Sequence, residues 1–409
     1  MNELPIFYEE KPVATLLQND RGFCELRYEA EWQRHGFDIS VTLPRAQQHH
    51  TGDVVRAFFE NLLPEASIRE SLARHYGVST ENIFALLTRI GRDCAGAFSI
   101  GAPGNKGEYL LLTEPELQAE LDKLPQYPMA SARPGSSLSL AGAQHKLPIF
   151  RKENEIYLPL HGAASNSIIK LPMAAFPHSV ENEFFCMRLA QRIGLPVAGT
   201  EILSLPKEKV LLVERYDREG SDFHPQRLPQ EDFCQMLGLS SAVKYESEGG
   251  PTFADCADYI RRYSFRSAKD LLRLVQWAAF NLCIGNNDAH AKNLSMLRQG
   301  NALSLAPHYD LISTTFYGRR LQKKLAMRIG GQQWSHHVSR RRWGIFADAV
   351  GLPQTTVLLR VASTANAILR ALPPVAELAR DSGVSPDVSS ALQSHIEERT
   401  QKVLQHLQE

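Results

Sequence analysis

Apolar and polar residues alternate in short runs over residues 6–43, among them Phe23-Cys24-Glu25-Leu26-Arg27-Tyr28 and Asp38-Ile39-Ser40-Val41-Thr42-Leu43. A period of two is that of a half-buried strand, so this stretch predicts a small antiparallel sheet. The period then lengthens. Segments 54–63, 68–76 and 80–90 carry apolar residues at helical spacing, punctuated by Pro64 and Gly77. Residues 101–137 are rich in Gly, Pro and Ser, with prolines at 103, 115, 125, 128 and 134, and read as a linker. Strand-like runs return at 146–150, 156–160 and 167–171, the first two joined by the polar loop Arg151-Lys152-Glu153-Asn154-Glu155. An amphipathic helix over 179–193, with Ser179 as N-cap and Gly194 ending it, precedes strands at 200–205 and 210–216. From Pro229 onward the pattern is mainly helical, clearest at 232–237, 253–263, 268–284, 356–372 and 389–407. The expectation is an α+β protein with a β-rich N-terminal lobe and an all-helical C-terminal lobe. It divides into an N-terminal subdomain (1–100), a linker (101–137), a β-rich lobe (138–228) and a helical lobe (229–409).

The length of 409 residues suits such a division, since single cores seldom grow that large. Forty-five Lys+Arg cancel 45 Asp+Glu, which disfavours a protein that coats nucleic acid or anionic membrane through bulk charge. The most apolar helical segment, 271–284, is interrupted by Arg273, Gln276 and Asn281 and falls short of a bilayer span. The first residues lack the basic start and apolar core of a signal peptide, and the six cysteines are scattered singly. Reduced, buried thiols in a cytoplasmic protein are expected.

A β-rich lobe with one helix, followed by a helical lobe, suggests a clamp around a ligand, and the polar residues are of a corresponding kind. Asn286-Asn287-Asp288-Ala289-His290-Ala291-Lys292-Asn293 follows the most apolar helix. Asp288 and Asn293 have the Asp-x-x-x-x-Asn spacing of a protein-kinase catalytic loop, where the acid accepts the proton of the attacking hydroxyl and the amide holds a metal. A second acid, Asp310, follows strand-like 294–297 and 303–305, and a hairpin would return it toward Asn293. Oxygen ligands of this kind suit Mg²⁺. Lys170 ends a strand as a phosphate-binding lysine does, and the next helix offers Glu181 or Glu183 as its ion-pair partner. Ser139-Leu140-Ala141-Gly142-Ala143-Gln144-His145-Lys146 has the small residues that let backbone N–H groups approach phosphate oxygens, although it is not a Walker A sequence. Val213-Glu214-Arg215-Tyr216-Asp217-Arg218 ends the last strand, where main-chain contacts with adenine are expected and Asp217 could reach a ribose hydroxyl. The order of these elements is the linear arrangement of a bilobal kinase.

The same residues resemble the HipA toxin kinases of type II toxin–antitoxin modules. The likeness is carried by 139–146, Ile168-Ile169-Lys170-Leu171-Pro172, 214–218, Leu228-Pro229-Gln230-Glu231-Asp232, Val243-Lys244-Tyr245-Glu246-Ser247, 287–293 and 307–313. Phe58-Phe59-Glu60-Asn61-Leu62-Leu63-Pro64 and Ile90-Gly91-Arg92-Asp93-Cys94-Ala95-Gly96-Ala97 resemble the family's N-terminal subdomain. The likeness is looser over 101–135 and 335–409. It implies a HipA-like protein-kinase fold and an ATP- and Mg²⁺-dependent serine/threonine kinase acting on an aminoacyl-tRNA ligase, glutamate-tRNA ligase in the best-known member. The consequence would be blocked translation, growth arrest and persistence. It further implies Asp288 as base, Asn293 and Asp310 as metal ligands, and Lys170 as phosphate lysine. Ala141, Gly142, Ala143, Gln144, His145 and Lys146 would form the phosphate loop. Glu214, Arg215 and Tyr216 would meet adenine, and His290, Ala291, Lys292 and Tyr309 would complete the nucleotide shell. Ser139 matches the autophosphorylated serine, where added negative charge would repel ATP and silence the enzyme.

The resemblance also implies a small helix-turn-helix antitoxin, HipB-like, that binds this chain and operator DNA. Two other readings stay open: a phosphotransferase on a small molecule or lipid, and an inactive co-repressor bound to a DNA-binding antitoxin. Arg340-Arg341-Arg342, after His336-His337, reads as a solvated helix face or a contact to DNA backbone.

Overall fold

A computed structural model describes residues 2–19, 22–104, 107–125, 144–320 and 324–409. The chain forms two compact units, residues 1–171 with 205–242, and residues 172–204 with 243–409. The N-terminal subdomain and most of the β-rich lobe, expected to be separate, thus share one unit. The helix after Lys170 belongs instead to the second.

In the first unit an antiparallel sheet runs in the order His49–Thr51, Cys24–Tyr28, Lys11–Gln18, Asn2–Tyr8, Phe98–Ile100. Cys24, Leu26 and Tyr28 point into a core shared with helices Asp53–Glu60, Ala66–Tyr76 and Ile83–Ile90, as the period-two and helical patterns require. Residues 38–43 are not the strand their alternation predicts. The Tyr28 hydroxyl donates to Leu43 O (2.6 Å) and accepts from the Ile39 N–H (2.8 Å), so a side chain satisfies backbone groups that a neighbouring strand would otherwise pair.

The unit's other sheet contains, in order, Lys209–Glu214, Ser167–Lys170, Lys146–Lys152, Glu155–Leu160 and Glu108–Leu112, all antiparallel to their neighbours. Part of the expected linker is therefore built into the fold. Glu108–Leu112 is a sheet strand, and Glu114–Lys123 is a helix opened by a Thr113/Glu116 capping box with Pro115 in its first turn.

The second unit is mainly helical, with hairpins Ser295–Gln299/Ala302–Leu305 and Lys324–Ile329/Gln332–Trp334 set into it. Helix Ser267–Ile284 is buried on nearly all sides, which explains its apolar sequence without a membrane. Helices Ser179–Arg192, Gln354–Asp381 and Pro386–His406 pack with one another, and the last two also pack on the buried helix. Ser179 is the first helical residue rather than the cap. His178 occupies the cap position, and the Ser179 hydroxyl accepts from the Met173 N–H (2.8 Å). Helix Gln354–Asp381 continues through Pro373 and Pro374, past the expected end at 372. Its apolar face persists through Val375, Ala376 and Ala379, and that burial outweighs the two missing N–H donors. All six cysteines are buried and free. Among the described residues no helix is long and apolar enough to cross a membrane.

Candidate active site

The acid-bearing loops lie in the second unit. Helix Ser267–Ile284 stops at Gly285, whose φ of 74° is the left-handed conformation of a glycine stop. The loop beyond it folds around Asp288. The Asp288 N–H donates to Asn286 Oδ1 (3.1 Å), and its carbonyl accepts from the His290 N–H (2.8 Å) and from Asn293 Nδ2 (3.3 Å). Asp288 and Asn293, paired in sequence only by spacing, are thereby joined. The phenol of Tyr245 donates to Asp288 Oδ1 (2.8 Å), and its ring meets His290 edge-on with centroids 5.5 Å apart.

The expected hairpin return toward Asp310 is realised. Leu305 N–H donates to Asp270 Oδ2 (2.8 Å), while Arg273 bonds the carbonyls of Leu305 (3.0 Å) and Ala306 (3.1 Å). Arg273, which interrupts the apolar pattern of the helix, thus ties the hairpin down. Beyond it the Tyr309 hydroxyl donates to Lys292 O (2.6 Å) and bonds Ser295 Oγ (2.8 Å), linking the Asp310 segment to the loop that carries Asn293. Asp310 itself has φ 54°, a sparsely populated conformation that Asp tolerates better than most residues and that is common at functional sites. His308, two residues earlier, lies face to face with Trp277 (6.1 Å), and burial with nearby Arg273 pushes its imidazole down to about 3. Asn182 of helix Ser179–Arg192 makes two hydrogen bonds to the backbone of Ser313: its Nδ2 donates to Ser313 O (3.0 Å) and its Oδ1 accepts from the Ser313 N–H (2.9 Å). Of the two expected glutamates, Glu183 is buried at 4% exposure, whereas Glu181 sits beside His178 Nδ1 (3.6 Å).

The candidate lysines lie in the first unit. Lys146 and Lys170 are directly opposite in adjacent antiparallel strands and are both buried. Opposed residues share a sheet face. Gln144 Nε2 donates to Leu171 O (2.6 Å) and His145 O accepts from the Leu171 N–H (3.1 Å), which fixes this register. Partial burial lowers the His145 imidazole. Ser139, Ala141, Gly142 and Ala143 lie outside the described residues.

Glu214 is exposed at the end of its strand, and Tyr216 bonds Gln230 through its hydroxyl. The side chains of Arg215 and Asp217 are engaged within this unit. Both lie in a buried ionic network. Asp217 Oδ2 accepts from Arg215 Nη2 (2.8 Å) and the Gly96 N–H (2.7 Å), and Asp93 lies against Arg218 (2.8 Å), Arg215 (3.3 Å) and Arg227 (3.4 Å). Burial alone would raise the Asp217 carboxyl, but Arg215 and Arg218 overcome it and hold it low. The Asp217 carboxylate thus accepts from Arg215 Nε, from Arg215 Nη2 and from the Gly96 N–H.

Among the described residues no group of three or more His, Cys, Asp or Glu is arranged to hold a metal. Asn293 and Asp310 offer one amide oxygen and one carboxylate. That donor set fits Mg²⁺, which takes few protein ligands and completes its shell with water and phosphate oxygens.

Tyr245 and Asn182 were missed by sequence reasoning as site residues. Tyr245 lay within a stretch that carried the family resemblance. Asn182 acts through its pairing with Ser313, 131 residues apart, which leaves no local signature.

Family models match two stretches, the HipA N-terminal domain over residues 4–101 and the HipA-like C-terminal domain over residues 138–372. A Sinorhizobium fredii protein named "Putative kinase Y4mE" is 40% identical over 395 residues, covering 93% of this chain and 94% of that protein. The serine/threonine-protein kinase toxin HipA of Shewanella oneidensis is 32% identical over 366 residues, covering 86% of this chain and 83% of its own. The solved structure of the Shewanella oneidensis MR-1 HipA, HipB and operator DNA complex superposes with a TM-score of 0.86 at 28% identity, over 98% of this chain and 97% of that one.

Proposed function

The chain belongs to the HipA family of kinase toxins from toxin–antitoxin systems, and from that premise we propose that it transfers the γ-phosphate of ATP to a serine of an aminoacyl-tRNA ligase, glutamate-tRNA ligase foremost. The observation that carries the proposal is the loop in which Asn293 donates to the carbonyl of Asp288 while Tyr245 donates to its carboxylate. In this reading Asp288 accepts the proton of the attacking seryl hydroxyl through whichever carboxylate oxygen the substrate reaches. Tyr245 fixes the rotamer of that acid. Asn293 and Asp310 would hold Mg²⁺, which would supply positive charge to neutralise the phosphates. Lys146 and Lys170 would meet the phosphates. Backbone groups of 214–216 would meet adenine.

Phosphorylation of Ser139, proposed on the sequence resemblance, would silence the enzyme. Ser139→Ala should then keep its activity during incubation with ATP while the unmodified protein loses it, and equal losses would reject the idea. A HipB-like antitoxin is the proposed partner, and operator DNA would be met mainly through it. That reading is supported by the composition of the Shewanella complex. The test of the activity is incubation of purified protein with labelled ATP and a panel of tRNA ligases, followed by mapping of the modified residue. Label in a ligase serine supports the proposal. Label only in metabolite or lipid fractions supports a small-molecule phosphotransferase, and no transfer with retained antitoxin binding supports an inactive co-repressor.

A further inference from the structure

The last helix, Pro386–His406, follows the stretch matched by the C-terminal family model and carries none of the kinase motif. Its residues 395 and 399 are four apart and so share one face. Arg399 Nη2 donates to Leu282 O (3.1 Å) in the last turn of the buried helix, where carbonyls lack intrahelical partners and a cation is favoured. His395 Nε2 bonds Thr315 Oγ1 (3.0 Å). These two contacts close on one residue, Gly285. The Thr315 N–H and the Thr314 hydroxyl both donate to Gly285 O (3.0 Å each), and Thr314 Oγ1 accepts from the Asn287 N–H (2.8 Å). A Cβ built on Gly285 would lie 1.9 Å from Thr315 Oγ1 and 2.5 Å from Arg399 Nε, so the elbow fits this clamp only as glycine. Asp288 is the next residue after Asn287, and Thr314 lies four residues beyond Asp310.

We propose that His395 and Arg399 are positioning residues that clamp the Gly285 elbow and so fix the Asp288 loop relative to the segment carrying Asp310. Neither touches a reacting group. His395 is neutral at neutral pH, because burial and the neighbouring Arg399 push its imidazole down to about 4, and the bond to Thr315 is therefore retained. The activity arm of the test rests on the kinase reading above; the exchange arm does not.

The experiment uses the full chain with His395→Leu, His395→Gln, Arg399→Ala and Arg399→Lys. Amide hydrogen exchange is followed in peptides covering 285–293, with helix Phe253–Tyr263 as the internal reference. Loss of the clamp in His395→Leu and Arg399→Ala should speed exchange in 285–293 about tenfold relative to that reference and lower kcat by about ten- to a hundredfold, with KM for ATP within about twofold. His395→Gln, which keeps a hydrogen-bonding amide, and Arg399→Lys, which keeps the cation, should recover most of both. Unchanged exchange in 285–293, or a loss of kcat that only tracks the loss of folded protein, would overturn the inference. Were the unmodified chain to transfer no phosphate, the kinase reading would fail while exchange still decided the clamp.

Discussion

Asp93→Asn removes one of two acids from the buried ionic network of the first unit. Asp93 is 1% exposed and faces Arg218, Arg215 and Arg227, while the Ser165 N–H (3.1 Å) and hydroxyl (2.7 Å) donate to it. Burial opposes ionisation of this carboxyl, yet Arg215, Arg218 and Arg227 together hold it well below the usual carboxylate range. In the variant Arg215 and Arg218 would keep Asp217 as their remaining acid, while Arg227 would lose the carboxylate it pairs with. Breaking a buried pair from one side costs about 3–5 kcal/mol, and the retained amide oxygen, still able to accept from Ser165, puts the expectation near 3 kcal/mol. Against a total stability of about 5–15 kcal/mol that is a large fraction. The assay is urea unfolding followed by circular dichroism. The midpoint should fall with little change in slope, and Glu31→Gln, at the exposed Arg34–Glu31 pair, should leave it unmoved. The Asp93 contribution is present above the ordinary aspartate value near 3.9 and is lost as pH falls through the depressed folded value, so the two proteins should converge in acid. A loss below about 1 kcal/mol at neutral pH would refute the reasoning, because it would place the network among weak, solvated pairs.

Three further outcomes are expected. Tyr245→Phe keeps the ring against His290 but drops the bond to Asp288, so kcat for phosphoryl transfer should fall about tenfold with unchanged thermal stability. The folded His308 resists protonation until about 3, whereas an unfolded imidazole takes up a proton near 6.5. Between those values the unfolded chain binds more protons, so stability rises as pH rises, by up to about 1.4 kcal/mol per unit from this residue; His308→Phe should flatten that limb of the unfolding free energy measured against pH. Gly285→Ala, at φ 74° and against Thr315 and Arg399, should cost about 1–3 kcal/mol in denaturant unfolding and suppress phosphoryl transfer.

The parts of this protein that were legible in its sequence are those with a local cause. Helix Phe253–Tyr263 was expected with its bounds, since Thr252 and Asp255 form a capping box and the apolar face repeats cleanly. The strand lysine Lys170 and the Asp288/Asn293 spacing were readable because phosphoryl-transfer chemistry constrains residue type and order together. Failures arose where a distant group decided. Tyr28 turned 38–43 away from strand pairing, and a sheet partner recruited 108–112 from the Pro-rich stretch read as linker. The buried ionic network of Arg215 and Asp217 was equally invisible. Their commitment to Asp93 and Gly96, more than 120 residues away, has no sequence signature.

The central claim is that Asp288 is the base of a protein kinase. Its most direct test is transfer of labelled γ-phosphate from ATP into ligase serine by the unmodified chain and by Asp288→Asn, with folding matched by circular dichroism. The account predicts incorporation by the unmodified chain and a loss of at least about a hundredfold in the variant. Equal incorporation by both proteins would contradict it.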